Sequence, residues 1–216
     1  MDVGCGAGGT TAKLIFPLFT QSKKIFAVDF LPGMIDLAKR ENSHPSIEYS
    51  VANIGDWSTV KQWEDQITKL VSVHCFEWVK DQKKCFQNVF KLLKKGGQAA
   101  LCFGIDNYVS ESHYKKYHAS YYKQILEDIG FDIVYCKEEV KIDVFSSDEE
   151  YKIGYLNDDL DYEIFLINLC LDVLHSIPTK EEFQKDLFQE LLKQNGRNKD
   201  GLPFHTANMI EIIIRK

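Results

Sequence analysis

Asp2-Val3-Gly4-Cys5-Gly6-Ala7-Gly8-Gly9, with Met1 in front, is the stretch whose reading decides the fold. Glycines that open a helix let backbone N–H groups approach a ligand closely, because no Cβ stands in the way. Gly4, Gly6 and Gly9 also fit G-x-G-x-x-G, a spacing shared with dinucleotide sites. Asp2, two residues before the first glycine, separates the possibilities. A carboxylate there suits a ligand that carries an ammonium group and repels a pyrophosphate.

Working outward, residues 10–19 read as a helix with Leu14, Ile15 and Leu18 inward, capped by Thr10 or Thr11 and ended near Pro17. Residues 24–28 read as a short buried strand closed by Asp29, ~20 residues past the glycines, where an acid suits a ribose diol. Pro32 opens a second helix, with Met34, Ile35 and Ala38 at helical spacing. Residues 47–52 alternate as a third strand, and Asn53 follows. A short polar helix over 58–65 leads to a fourth strand over 67–73. Then comes His74-Cys75-Phe76-Glu77-Trp78-Val79-Lys80-Asp81-Gln82, just past a strand carboxyl end, where α/β folds place their ligands. Phe86, Val89, Phe90 and Leu93 make one face of a helix that stops at Gly96-Gly97, and residues 98–103 form a fifth strand. This alternation specifies a mainly parallel sheet with right-handed crossovers.

The first strand is expected to be clipped. An open α/β sheet carries several apolar residues ahead of its glycine turn, and here only residues 1–3 precede it. About three buried side chains are lacking, each worth ~1.5–3 kcal/mol against the ~5–15 kcal/mol that holds a domain together. The expectation is an N-terminally truncated chain.

The second half differs in character. Residues 104–116 are polar and tyrosine-rich and read as a loop over the strand ends. A helix over 119–129 turns Tyr122, Ile125 and Ile129 inward, residues 131–145 are extended, and residues 209–214 form a last strand. Asn157 caps a helix with an acidic first turn and an apolar stripe through Leu160, Ile164, Ile167, Leu171 and Leu174. Thr179 and Glu182 make a capping box for the next helix. The two helices between residues 148 and 195 are either a cap over the pocket or ordinary outer-layer helices. The expected organisation is one domain over 1–216, with a cofactor-binding half (1–103) and a substrate or cap half (104–216).

Of the 216 residues, 44% are apolar and 27% charged, and the net charge is −6. Such a surface does not recruit phosphate backbones, so nucleic acid is not an expected partner. No apolar run approaches the roughly eighteen residues of a membrane span. The six cysteines are scattered with no C-x-x-C and read as reduced thiols of a cytoplasmic protein. No metal-ligand spacing is present. Oligomeric state is left open.

The acid-plus-glycine turn resembles the first motif of the class I methyltransferases that use S-adenosyl-L-methionine. With Asp29, Asn53, residues 72–82 and Lys91-Leu92-Leu93-Lys94-Lys95-Gly96-Gly97, the chain resembles the arthropod juvenile hormone acid O-methyltransferases, most closely over residues 2–103. The resemblance implies a Rossmann-like seven-stranded sheet with an antiparallel last strand. It also implies methyl transfer to the carboxylate of a sesquiterpenoid acid. Asp2, Gly4, Cys5 and Gly6 would then seat the methionine part, Asp29 the ribose, Phe30 and Met34 the adenine faces, and Asn53 and Ile54 its edge. His74 would line the cofactor pocket. Trp78 would be the catalytic residue, offering its indole N–H to the acceptor carboxylate.

Three departures stand out. Asn53 replaces the family's usual Asp, Glu77 stands where a histidine often precedes the tryptophan, and an N-terminal glutamine of the family has no counterpart. A carboxylate acceptor, with a pKa near 4, is ionised at neutral pH and needs no general base. His74 would serve as base only for an alcohol or amine acceptor. Two rival readings remain. One is an NAD-dependent oxidoreductase, opposed by Asp2 and by the lack of a Tyr-x-x-x-Lys in register. The other is a truncated, impaired paralogue that at most binds the cofactor.

Overall fold

β1 (Asp2–Val3) lies in the middle of a seven-stranded sheet. This is a computed structural model, which describes residues 1–19, 24–105, 117–151, 189, 192–193 and 196–216. β1 pairs in parallel with β2 (Ile25–Asp29) on one side and β4 (Ile67–Val73) on the other. Outward from β2 comes β3 (Ile47–Val51), also parallel. On the other side, β5 (Leu93–Gly104) is parallel to β4. β7 (Phe204–Arg215) runs antiparallel to β5, and β6 (Asp132–Val144) forms the edge beyond it. The expected mainly parallel sheet with an antiparallel last strand is thus observed.

Alternation along β2 shows why both faces need helices. Ile25 and Ala27 pack with Ile35 and Ala38 of α2 (Pro32–Glu41), while Phe26 and Val28 join the opposite face. That second face is larger. α4 (Gln82–Leu92) contributes Cys85, Phe86, Val89 and Leu92, and α5 (Ala119–Ile129) contributes Tyr122, Ile125 and Leu126. Gly130 ends α5 in the left-handed conformation, donating to the carbonyls of Leu126 and Glu127. The described residues divide into two compact units: Met1–Glu139 with Asn208–Lys216, and Val140–Ala207. Within the second, Arg197 grips both carboxylate oxygens of Asp148, at 2.7 and 2.8 Å.

Three local expectations are corrected. Residues 11–15 wind as a π-helical turn that leads into α1 (Phe16–Leu18). The wider turn breaks the 3.6-residue spacing, so Ile15 is buried while Leu14 and Leu18 are exposed. Neither Thr10 nor Thr11 caps it; the Thr11 hydroxyl is engaged elsewhere. The polar segment 58–65 is α3 (Trp57–Val60) followed by a 3₁₀ turn, Lys61–Trp63, and it buries Val60 and Trp63. α4 ends at Leu92, because Leu93 already pairs with Ile67 in the sheet; Gly96 and Gly97 then lie within β5. Of the loop expected over 104–116, Gly104 still belongs to β5 and residues 106–116 lie outside the described residues, as does the body of the two helices expected between 148 and 195. Among the described residues no helix is long and apolar enough to cross a membrane.

Candidate active site

After Val3 the chain hooks onto the end of the neighbouring strand: the amides of Gly4 and Cys5 both donate to the Val28 carbonyl, at 2.8 and 3.0 Å. Gly4, Gly6 and Gly8 have φ of +77°, +51° and +79°, conformations that side chains with a Cβ adopt at a cost. Two of these glycines are also sterically required. A Cβ on Gly4 would stand 2.4 Å from Cys75 Cβ, and one on Gly8 would stand 2.7 Å from the Tyr49 hydroxyl oxygen. Around Gly6 there is open space, with nothing within 4 Å of such a Cβ.

Two carboxylates frame this turn. Asp29 is buried and accepts from the Gly6 amide at 2.9 Å through Oδ2 and from the Leu31 amide at 3.0 Å through Oδ1. Asp2 is buried in β1, next to its last residue, and accepts from the Thr11 hydroxyl at 2.6 Å. Burial pushes the Asp2 carboxyl up to about 6; the Thr11 hydrogen bond opposes that rise and the charge of Asp29 adds to it. Burial also raises the Cys5 and Cys75 thiols far above their ordinary value, which keeps both protonated and unreactive.

The turn after β4 lies against the same glycines through Cys75. Ser72 donates to the Val3 carbonyl at 2.8 Å, tying the ends of β4 and β1 together. His74 has a left-handed backbone (φ +53°), held by its N–H to the Cys102 carbonyl at 2.9 Å. Its Nδ1 lies 3.0 Å from Glu77 Oε1. Phe76–Trp78 forms a single 3₁₀ turn. A relay anchors it: the Tyr122 hydroxyl donates to Gln82 Oε1 at 3.0 Å, and Gln82 Nε2 donates to the Phe76 carbonyl at 2.9 Å. Phe76 itself is fully buried, stacked 5.0 Å from Phe86. Trp78, next but one, is 39% exposed.

Asp2, Gly4, Cys5, Gly6, Asp29 and the His74–Trp78 turn thus meet along the carboxyl ends of β1, β2 and β4. Phe30 is exposed and Met34 half-buried, just past β2. Asn53 is exposed, and its Oδ1 accepts from the Gly55 amide at 2.8 Å. The Ile54 side chain belongs to the core, and its carbonyl accepts from Asn88 at 2.7 Å, so only its neighbourhood borders the site. Sequence reasoning did not find the supporting roles of five residues: Thr11, Tyr49, Cys75, and Gln82 and Tyr122 of the relay. Their partners lie 9 to 71 residues away along the chain, and no spacing rule reports such pairings. The residues fit an S-adenosylmethionine-like ligand. A buried anion can face an ammonium, left-handed glycines leave open space at Gly6, and an acid ends β2.

Comparison with known proteins agrees. Residues 1–101 match the methyltransferase domain family. The juvenile hormone acid O-methyltransferase of Drosophila melanogaster is 23% identical over 157 residues, covering 61% of this chain and 53% of that protein. Malonyl-[acyl-carrier protein] O-methyltransferase 1 of Ilyobacter polytropus is 29% identical over 112 residues, covering 50% of this chain and 39% of that protein. The chain therefore spans about half the length, or less, of these curated relatives. Among solved structures, the YcgJ protein of Bacillus subtilis superposes with a TM-score of 0.61 at 16% identity, covering 100% of this chain and 90% of its own. Phosphoethanolamine N-methyltransferase 2 of Haemonchus contortus, in complex with S-adenosyl-L-methionine, gives 0.57 at 15% identity, covering 100% and 47%. Residues 1–101 thus match a methyltransferase domain, and the seven-stranded sheet has the Rossmann-like fold of the solved methyltransferase structures.

Proposed function

We propose that this chain methylates the carboxylate of a small apolar, sesquiterpenoid-like acid in the cytoplasm, with S-adenosyl-L-methionine as methyl source. The observation that carries the reading is Asp2, a carboxylate buried beside a turn of left-handed glycines. S-adenosylmethionine supplies an electrophilic methyl on a sulfonium and brings an ammonium group. Asp2 offers that ammonium a counter-charge where the low dielectric strengthens the attraction. Gly4, Cys5 and Gly6 hold the backbone open beside it. Asp29 accepts from ribose hydroxyls, since each carboxylate oxygen keeps a second lone pair after its backbone bond. Phe30 and Met34 flank the adenine, with Asn53 and the backbone at Ile54 along its edge. The absence of disulfides among the described cysteines is compatible with a reducing compartment.

Two features support the acceptor half. Relatives from an insect and a bacterium share the O-methyltransferase name, one of them acting on a hormone acid. Trp78 is half-exposed on the turn beside the glycines, where its N–H can donate to a carboxylate while its ring packs on an apolar tail. The protein then has one task, to bring oxygen, methyl and sulfur into line. The test is incubation with methyl-labelled S-adenosylmethionine and farnesoic acid, alongside thermal melts with S-adenosylhomocysteine. A labelled methyl ester is expected. Stabilisation by S-adenosylhomocysteine without ester from any carboxylic acid removes the acceptor reading and keeps the cofactor; stabilisation by NAD alone removes both.

A further inference from the structure

Glu77 presents a difficulty for a carboxylate acceptor. Its side chain is 6% exposed, and it sits one residue before Trp78. Oε1 meets His74 Nδ1 at 3.0 Å, while Oε2 is buried without a hydrogen-bond partner among the described residues. A buried carboxylate with one orphaned oxygen costs stability and repels a second carboxylate brought near it. A cation between the two relieves that repulsion. The His74 ring is placed for this: it is 65% exposed, turned by Glu77 through Nδ1, and carried on a left-handed backbone that fixes its direction.

We propose that His74, oriented by Glu77, recognises the charged carboxylate of the methyl acceptor, making the pair a specificity device for acid over ester. Glu77 accepts a hydrogen bond from Nδ1–H, and Nε2–H of the protonated ring donates to the acceptor. The contact from the ring to the acceptor anion is a charge-assisted hydrogen bond. Glu77 and His74 then sum to zero charge, so the buried anion no longer opposes the substrate. Glu77 is the positioning residue of the pair. The methyl ester product carries no charge, loses the contact and is released. No proton moves, because the carboxylate oxygen attacks as the anion. The inference rests on the carboxylate reading given above and moves His74 from the cofactor to the acceptor.

The test titrates farnesoic acid and methyl farnesoate into S-adenosylhomocysteine-saturated protein by calorimetry. H74N is chosen because Asn tolerates the left-handed backbone, and E77Q because it keeps the side-chain shape. Wild type is expected to prefer acid over ester by about tenfold, the size of one charge-assisted hydrogen bond. H74N should lose the preference and E77Q part of it, with S-adenosylhomocysteine affinity unchanged in both. E77Q alone carries the test if H74N does not hold S-adenosylhomocysteine. An acid-to-ester ratio unaltered by either variant overturns this inference and leaves the carboxylate reading standing. So does a loss of acid affinity matched by an equal loss of S-adenosylhomocysteine affinity, the mark of a structural role. A wild-type protein that binds S-adenosylhomocysteine but neither acid nor ester removes the carboxylate reading and this inference together.

Discussion

The Gly6 amide donates to Asp29 Oδ2 at 2.9 Å, which makes the glycine turn after β1 and the acid ending β2 a single unit. The same carboxylate takes the Leu31 amide through its other oxygen, so it orders the chain on both sides of the site. D29A removes two hydrogen bonds to a charged acceptor and should cost about 3 kcal/mol in urea unfolding, whereas D29N, which keeps one oxygen, should cost about half of that. Both should abolish the stabilisation by S-adenosylhomocysteine. Intact cofactor affinity in D29A would mean the turn does not need this tie.

Asp2 predicts a pH dependence. Its carboxyl titrates at about 6 when folded against an ordinary 3.8, so the folded protein holds a proton that the unfolded chain releases. The stability this group contributes is complete below 3.8, falls as pH rises through about 6 and is level above it. The rise corresponds to about 3 kcal/mol of cost at neutral pH in the ligand-free protein. Thermal melts between pH 4 and 8 should show this fall in wild type and a flatter curve in D2N. Cofactor affinity should run the other way, since the ammonium needs the ionised carboxylate: affinity for S-adenosylhomocysteine should climb up to pH 6 and then level. A pH-independent affinity would separate Asp2 from the ligand.

Gly4 and Gly6 should respond differently to the same change. In G4A the new methyl meets Cys75 Cβ at 2.4 Å and Sγ at 2.5 Å, on top of the left-handed strain, so the variant should be recovered mostly unfolded. In G6A nothing is met, and the cost should be only the backbone term of about 1–2 kcal/mol. G6A should nevertheless bind S-adenosylhomocysteine poorly, because its methyl enters the space left for the ligand. Circular dichroism melts and calorimetry on both variants check this.

Trp78 is exposed enough that its loss should barely move stability, so W78F isolates the indole N–H. The expected result is a KM for farnesoic acid raised about fivefold, the equivalent of one net hydrogen bond, with S-adenosylhomocysteine affinity unchanged. An unchanged KM would show that the indole N–H does not hold the acceptor.

The alternation of apolar runs and the glycine turn were sufficient to specify the mainly parallel sheet, and the acids at positions 2 and 29 marked the strand ends proposed to bind the ligand; the antiparallel closure came from the family resemblance. These features repeat at short, regular spacing, and hydrophobic periodicity together with glycine chemistry reports them directly. Where the first helix widens into a π turn, Leu14 and Leu18 face outward against their pattern, because one extra residue per turn erases the periodicity. Only the tertiary structure could bring Cys75 against Gly4, Thr11 to Asp2, and Tyr122 through Gln82 to the Phe76 carbonyl. It also buried Glu77 and set it against His74. A side chain's charge is written in the sequence; what surrounds that charge is settled only when distant strands pair and exclude water around it.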